Sequence, residues 1–594
     1  MCGIFGIYQR QQINREYTGA ILQEMSDVLY HRGPDDFGFY FDEKIALGHR
    51  RLAILDLSKN GAQPMQNQRY VISFNGEIYN FAQIRSELIS KGYSFFSNSD
   101  TEVILQGYAH FGEKIVEMLN GMFAFVIYDK QLHEIFAARD RYGVKPFYYF
   151  FDKEKFIFAS EIKAILKHPE VKTALDKQAL AEYVTFQNIF SSRTLFTNIS
   201  LFEKGSFMKI SADFQPKTCK YWDFNFTNSI DRPSDEYILQ IQKTMDEAVK
   251  SNLISDVEVA SYLSSGIDSS LISAHAARAS GHLYTFTMGS YLEIENSMDE
   301  RHFAEKIANH IQSEHYEAVV KPKDIEKSMK SIVWHLEEPR CGQSYPNYYI
   351  SKLASKFTKV VLCGAGSDEI FGGYPWRYYT QKHDNFEDYT AGYFNIWNRL
   401  LPKNDKISLF QTSKADENNA FEVFKSFFNK NPQNSDEAIA NSLYFEANTF
   451  LQGLLIAEDK ISMAHSIETR VPFLDNNLVD LALAIPNKYK IRQDLNQELQ
   501  GKAILRDFAH QYLPNEIAAL KKRGFSTPDG HWFQNECKDY VLSSLFAQNA
   551  KIHNILDKKA LEIYINDHMN GVKNYRLLIW SLLYLENFLT IFDL

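Results

Sequence analysis

Residues 257–274 read VEVASYLSSGIDSSLISA. A hydrophobic strand runs into a tight polar loop, and a helix begins near Ser269. A strand that feeds a helix through a short turn is the unit of an α/β sheet, and the N–H groups at the helix start form an anion cradle. Ser264, Ser265, Ser269 and Ser270 add hydroxyls, and Gly266 lets a ligand approach the backbone. Asp268 is the informative residue. A carboxylate beside phosphate is repulsive unless a cation such as Mg2+ lies between them. The chain has no GxxxxGK[ST] pattern, so this is not a Walker loop. Ser, Asp and Gly also build plain turns and helix caps, so the loop alone does not settle its chemistry.

A second loop at 360–374, VVLCGAGSDEIFGGY, repeats the design with Gly366, Ser367, Asp368 and Glu369. Two strand-end loops that each carry Asp can share one metal on the phosphates of ATP. Between and around them strand and helix alternate: VEVASYL, SSLISAHAARA, LYTFTMG, ERHFAEKIANHI and VVLCG. That alternation predicts a doubly wound parallel sheet with its ligands at the carboxyl ends of the strands.

Upstream the pattern changes. From Met1 to about Ser211 short β-type runs dominate, such as YVISFNGEIYN, GMFAFVIYD, EIFAARD and KFIFAS, with helical stretches around Ile21–Leu29 and Phe81–Ser90. This part reads as a strand-rich α+β domain. The expected organisation is a first domain over 1–211, a turn-rich linker over 212–236, and a second domain over 237–594 that carries a polar, aromatic-spotted helical insertion near 381–437. The apolar stretch LLIWSLLYLENFLTIF near the end is shorter than a membrane span and interrupted by Glu586, so a buried helix is expected.

At 594 residues the chain is too long for one core. A net charge of -10 provides no general basic field, so neither nucleic acid nor a membrane surface is an expected partner. Cys2, Cys219, Cys341, Cys363 and Cys537 are scattered without CxxC spacing, which argues against a disulfide framework or a structural zinc site. The opening MCGIFGIYQR has no basic-then-apolar leader pattern, and a cytoplasmic location is expected. It does put a thiol at position 2. Removal of Met1 would leave Cys2 with both a nucleophilic sulfur and a free α-amine. An early Cys taken alone is more often a small buried hydrophobe.

Taken together, the blocks resemble the glutamine-hydrolysing asparagine synthetase family over essentially the whole chain. MCGIFGI, HRGPDD, RRLAILDLS, FNGEIYN, SNSDTEVI, GMFAFVIYD and RDRYGVKPFYY are similar, in order, to a class II glutamine amidotransferase domain. SSGIDSS, GSDEIFGGY, SIETRVPFLD and KKRGFSTP are similar to an ATP pyrophosphatase-type synthetase domain. The resemblance implies an αββα Ntn-hydrolase fold followed by an adenine nucleotide alpha hydrolase-like sheet. It implies that Cys2 attacks the glutamine side-chain amide, with Asn75 and Gly76 as oxyanion donors, Arg51 on the glutamine carboxylate, and Glu77 and Asp100 on its ammonium. It assigns Ser264, Gly266, Asp268, Ser269, Gly366 and Ser367 to ATP, Leu263 and Met288 to the flanks of adenine, Asp268 and Asp368 to Mg2+, and Lys522 to the charge of departing pyrophosphate. Arg470 is read as structural, held by a carboxylate such as Glu468 or Asp475.

The implied reaction is adenylation of a carboxylate by MgATP and amidation by ammonia that travels inside the protein through an apolar passage, with release of AMP and pyrophosphate. Glutamine, ATP and aspartate are the implied partners, and a homodimer is one assembly open to the chain. Two positions depart from the family text. Ser265 stands where a glycine is usual, which a negative φ would accommodate. Ala365 stands between two glycines where Glu or Asp is usual, and alanine can neither move a proton nor bind metal. Another carboxylate, such as a sugar uronate, is therefore a second acceptor reading. A glutaminase-only or binding relative is a third, disfavoured by the intact Asp268, Asp368 and Lys522.

Overall fold

Alternation along β1 (Gly3–Gln9) sends Ile4 and Tyr8 to one face of a sheet and Phe5 and Ile7 to the other, and all four are buried. A strand buried on both faces has to lie between layers. The computed structural model, which describes residues 2–594 apart from 228, 292–300, 341, 411–413, 494–498 and 521–527, supplies them. β1 joins β2 (Asp36–Phe41), β3 (Ile45–Arg51), β8 (Tyr148–Phe151), β9 (Lys155–Ala159) and β10 (Ile199–Leu201) in a six-stranded antiparallel sheet, ordered β10-β8-β9-β1-β3-β2. A second six-stranded antiparallel sheet holds β4 (Met65–Gln66), β5 (Tyr70–Ile78), β6 (Gly121–Asp129), β7 (Glu134–Arg139), β11 (Ser206–Ile210) and β12 (Pro216–Lys220).

Ile4, Tyr8, Leu47, Val71, Val126 and Ala137 meet between the sheets. Helix α1 (Arg15–Val28) covers Phe5 and Ile7 with Ile21, Leu22 and Met25. Helices α2 (Phe81–Ser90) and α3 (Asp100–Phe111) cover Ile72, Phe74, Phe123 and Phe125 on the far side. The result is the αββα sandwich. Helix α3 is an addition to the two helices read from the sequence. Its start signal is Ser99, whose side chain accepts the Thr101 N–H, followed by Asp100 and Glu102 in the first turn. The stretch expected as a linker over 212–236 contributes β12, which pairs with β11 from Ser206↔Lys220 to Ile210↔Pro216.

The second part is organised on a five-stranded parallel sheet ordered β15-β14-β13-β16-β17: β13 (Val259–Tyr262), β14 (Tyr284–Ser290), β15 (Glu314–Val320), β16 (Val360–Leu362) and β17 (Glu468–Arg470). The chain builds outward from β13 through β14 and β15, then returns to lay β16 and β17 on the other side. The order reverses between β13 and β16, and the crevice outside the carboxyl ends of those strands is where such sheets bind ligands.

The insertion is helical, with Phe386–Trp397, Lys403–Phe410, Lys414–Lys425 and Ser435–Asn448. The scattered aromatics are its core: Tyr389, Tyr393 and Trp397 form one helix stripe and pack with Phe424, Phe428, Phe445 and the first domain's Phe186 and Phe190. The terminal helix Arg576–Phe592 is buried along Leu578–Leu585, and among the described residues no helix is long and apolar enough to cross a membrane.

Candidate functional site

Cys2 lies just ahead of β1, and its N–H donates to Asn75 Oδ1 at 3.0 Å across to β5. Asn75 is fully buried, yet its Nδ2 has no hydrogen-bond partner. One amide therefore holds the nitrogen of Cys2 and presents a free donor beside it, which is the chemistry an oxyanion needs. Gly76 follows at φ +155°, where an added Cβ would sit 2.0 Å from Met122 O. Glycine is required there for β5 to lie against β6. Burial pushes the Cys2 thiol up, while the Leu52 N–H and Arg51 pull the other way.

Arg51, at the end of β3, is buried and not a surface cation. Its Nη1 donates to Ser58 O at 2.9 Å and its Nη2 to Asp56 O, so the loop after β3 fixes the guanidinium. Glu77 and Asp100 are buried close together. Burial pushes Asp100 up to about 6, against the N–H groups of Ile78 and Thr101. Burial also raises Glu77, and Glu468 and Asp100 add to that rise against the pull of Arg470. Two buried carboxylates on neighbouring positions make this end of the sandwich acidic. Cys2, Asn75, Gly76, Arg51, Glu77 and Asp100 thus gather at one end of the sandwich.

At the second site, the Ser269 hydroxyl takes the Ser264 N–H at 3.0 Å, and the Ser264 hydroxyl takes the Gly266 N–H at 3.1 Å, just ahead of the helix Ile267–Ser280. Ser265 is absent from the residues with positive φ, so its β-carbon is accommodated as expected. Leu263 is buried at the end of β13, with its N–H on Phe286 O and its carbonyl on Thr287 Oγ1. Both of its backbone groups are engaged within the sheet, so the backbone contacts to adenine expected of Leu263 are not open here, and Met288 is buried as well.

Gly364 brings the two loops into contact, because an added Cβ would stand 2.8 Å from Ser269 N and 2.9 Å from Asp268 Cβ. Gly366 at φ 93° precedes the short helix Ser367–Phe371, and the Ser367 hydroxyl donates to Asp268 Oδ1 at 2.7 Å. Asp268 Oδ2 lies 2.6 Å from Lys502 Nζ, and the same ammonium pairs with Asp368 Oδ1. The two aspartates do meet at one cation, which is a lysine. They also fit a hard dication. Among the described residues no group of three or more His, Cys, Asp or Glu offers a complete protein cage, so phosphate oxygens would have to supply the remaining ligands.

Lys502 escaped the sequence reading. It belongs to no recognised block, and the one signal is a lysine at a helix N-cap, ahead of Ala503–Ala509, where Ser, Asp or Asn is usual. Lys522 lies outside the described residues.

Buried charge pairs join the two parts of the chain. Arg32 donates to Cys2 O at 3.1 Å, to Glu161 at 2.9 Å and to Asp459 of the second domain at 2.9 Å. Arg470 Nε donates to Glu468 at 2.6 Å, as foreseen, and its Nη2 lies 3.3 Å from Glu77. Asp475, the other carboxylate considered, instead caps the helix Asn476–Ala484 and takes Asn120 Nδ2 at 2.7 Å. Against its burial, the charge of the N-terminal amine, then Arg470 and Lys145, hold the Glu468 carboxyl down at about 2.

The two parts correspond to two family models. Residues 1–222 match the glutamine amidotransferase domain, and residues 240–590 match asparagine synthase. The chain belongs to the asparagine synthase family. It is 31% identical to asparagine synthetase [glutamine-hydrolyzing] 1 of Bacillus subtilis over 98% of this chain and 95% of that protein. It is 30% identical to synthetase 3 of the same organism over 95% and 93%. It is also 27% identical to the amidase chyE of Penicillium rubens over 90% and 89%. The first model ends at 222, just past β12.

Proposed function

We propose that the chain is a glutamine-dependent asparagine synthetase that adenylates aspartate with ATP and amidates it with ammonia drawn from glutamine. The observation that carries this reading is the convergence of Asp268 and Asp368, from two strand-end loops at the switch point, on a single cationic position. In the amidotransferase half, Cys2 freed of Met1 would attack the amide carbon. An α-amine with an ordinary pKa of about 7.7–8.0 can take the thiol proton, which a buried thiol does not readily lose on its own. Asn75 Nδ2 and the Gly76 N–H would receive the oxyanion, while Arg51, Glu77 and Asp100 would hold the two charged ends of glutamine.

In the synthetase half, the N–H groups and hydroxyls of Ser264, Gly266, Ser269 and Ser367 would cradle phosphate. Asp268 and Asp368 would hold Mg2+, which when bound neutralises phosphate charge. Lys502 would then turn its ammonium to the α-phosphate and leaving pyrophosphate. ATP–pyrophosphate exchange tests the reading: aspartate should support it, and the full reaction should yield asparagine and AMP.

Ala365 favours a second reading, amidation of a larger carboxylate such as a sugar uronate. The substitution Ala365→Glu separates the two. With aspartate as acceptor it keeps or raises amide formation. With a larger acid it fills the space and repels the carboxylate, and activity falls by about tenfold or more, about 1.4 kcal/mol.

A further inference from the structure

Ala365 leaves its loop without an acid between the two glycines, and an acid from another element lies on the face of the sheet that leads to that loop. Glu458 lies on the helix Phe450–Met463. Its Oε2 accepts from Asn347 Nδ2 at 2.8 Å and its Oε1 from Thr469 Oγ1 at 3.3 Å. Thr469 stands opposite Val361 in the β16–β17 pairing, and Val361 stands opposite Ala260 in β13. Side chains alternate along strands, so Tyr262 and Cys363 follow on that same face at the carboxyl ends of β13 and β16. Both feel the charge of Glu458, which raises the Tyr262 phenol and the Cys363 thiol after burial has done so. The nearby backbone of Ala365 and Gly364 pulls the Cys363 thiol the other way. The register therefore places Cys363, two residues before Ala365, on the sheet face where Thr469 meets the Glu458 carboxylate. Asn347 and Ser351 of the helix Tyr345–Ala354 close the other side, with Ser351 Oγ 2.9 Å from the Tyr262 hydroxyl.

We propose that Glu458 serves as the general base of amide formation and replaces the acid missing at Ala365. This rests on the reading of the chain as an ATP-dependent amide synthetase. In the step, the lone pair of ammonia forms the new C–N bond, and one N–H proton passes to the Glu458 carboxylate. The acyl C–O bond to AMP breaks, and its electron pair leaves on the phosphate oxygen. Burial also pushes the Glu458 carboxyl up against the hydrogen bonds from Asn347 and Thr469, the direction that makes a carboxylate a stronger base.

The test uses the full chain with MgATP, the acid that supports exchange in the wild type, and ammonium chloride. Glu458→Gln, which keeps the size of the side chain, should lower amide formation by about 100-fold or more, while ATP–pyrophosphate exchange stays within about threefold of wild type. Adding Ala365→Glu to Glu458→Ala should recover at least about tenfold of the lost rate. Wild-type amide formation in Glu458→Gln, an equal fall in exchange, or a double variant no faster than Glu458→Ala would each overturn the proposal. Absence of exchange in the wild type with aspartate and with uronates would overturn the underlying reading and this proposal with it, a result distinct from any variant-specific failure.

Discussion

Arg470 of β17 places Nη2 3.3 Å from Glu77 of β5, so one guanidinium joins the parallel sheet to the strand that carries Asn75 and Gly76. The Arg470 carbonyl also accepts the Cys363 N–H at 2.8 Å, at the start of the second phosphate loop. Removing the guanidinium leaves Glu77 and Glu468 buried and uncompensated. Arg470→Met should lower stability by about 3–5 kcal/mol in chemical denaturation and raise the KM for glutamine. Unchanged values for both would mean that the contact does not join the two halves.

Cys2→Ala should abolish glutamine-dependent synthesis and leave synthesis from ammonium salts intact. Cys2 sits ahead of β1, and the loops of Asp268 and Asp368 sit on a separate sheet. Product assays with each nitrogen source check this directly, and a folded variant inactive with both would count against two separate sites.

Lys502→Met should remove aspartate-dependent ATP–pyrophosphate exchange by about 100-fold or more, while glutamine hydrolysis continues, because the ammonium lies on Asp268 and Asp368 and far from Cys2 in function. Asp268→Asn and Asp368→Asn should act on the same half-reaction. Exchange at the wild-type rate in Lys502→Met would remove the lysine from the chemistry.

Asp100 carries a pH signature. Its folded value, about 6, lies above the ordinary 3.8, so the folded chain binds more protons than the unfolded chain between those values. Its contribution to stability is therefore highest below about pH 4 and falls as pH rises through 6, with a cost of up to about 3 kcal/mol above that. Asp100→Asn should be more stable than wild type at pH 8 and lose that advantage near pH 4. An arriving ammonium favours the ionised carboxylate, so the KM for glutamine should rise as pH falls below about 6. Denaturation midpoints and glutaminase kinetics across pH 4–8 measure both effects.

Much of the local structure around the candidate sites was legible in short stretches of text. The blocks around Cys2, Asn75, Asp268 and Asp368 are local, because a strand end, a glycine and a helix cap are specified by a handful of neighbouring residues. Less legible was α3, whose cap signal at Ser99 sits inside a polar run, and β12, a short edge strand of exposed residues with no alternating pattern. Edge strands take their identity from a partner, here β11, and carry little periodicity of their own.

By itself the sequence determined the two architectures, the strand-end loops and the chemistry each loop can hold, since periodicity and turn chemistry act over a few residues. Tertiary structure alone decided which charges meet. Lys502 reaches Asp268 across 234 positions, Arg470 reaches Glu77, and Glu458 meets Asn347 and Thr469. A buried charge is tolerated only where the packing of distant elements brings it a partner, and that packing follows from the reversal of strand order between β13 and β16.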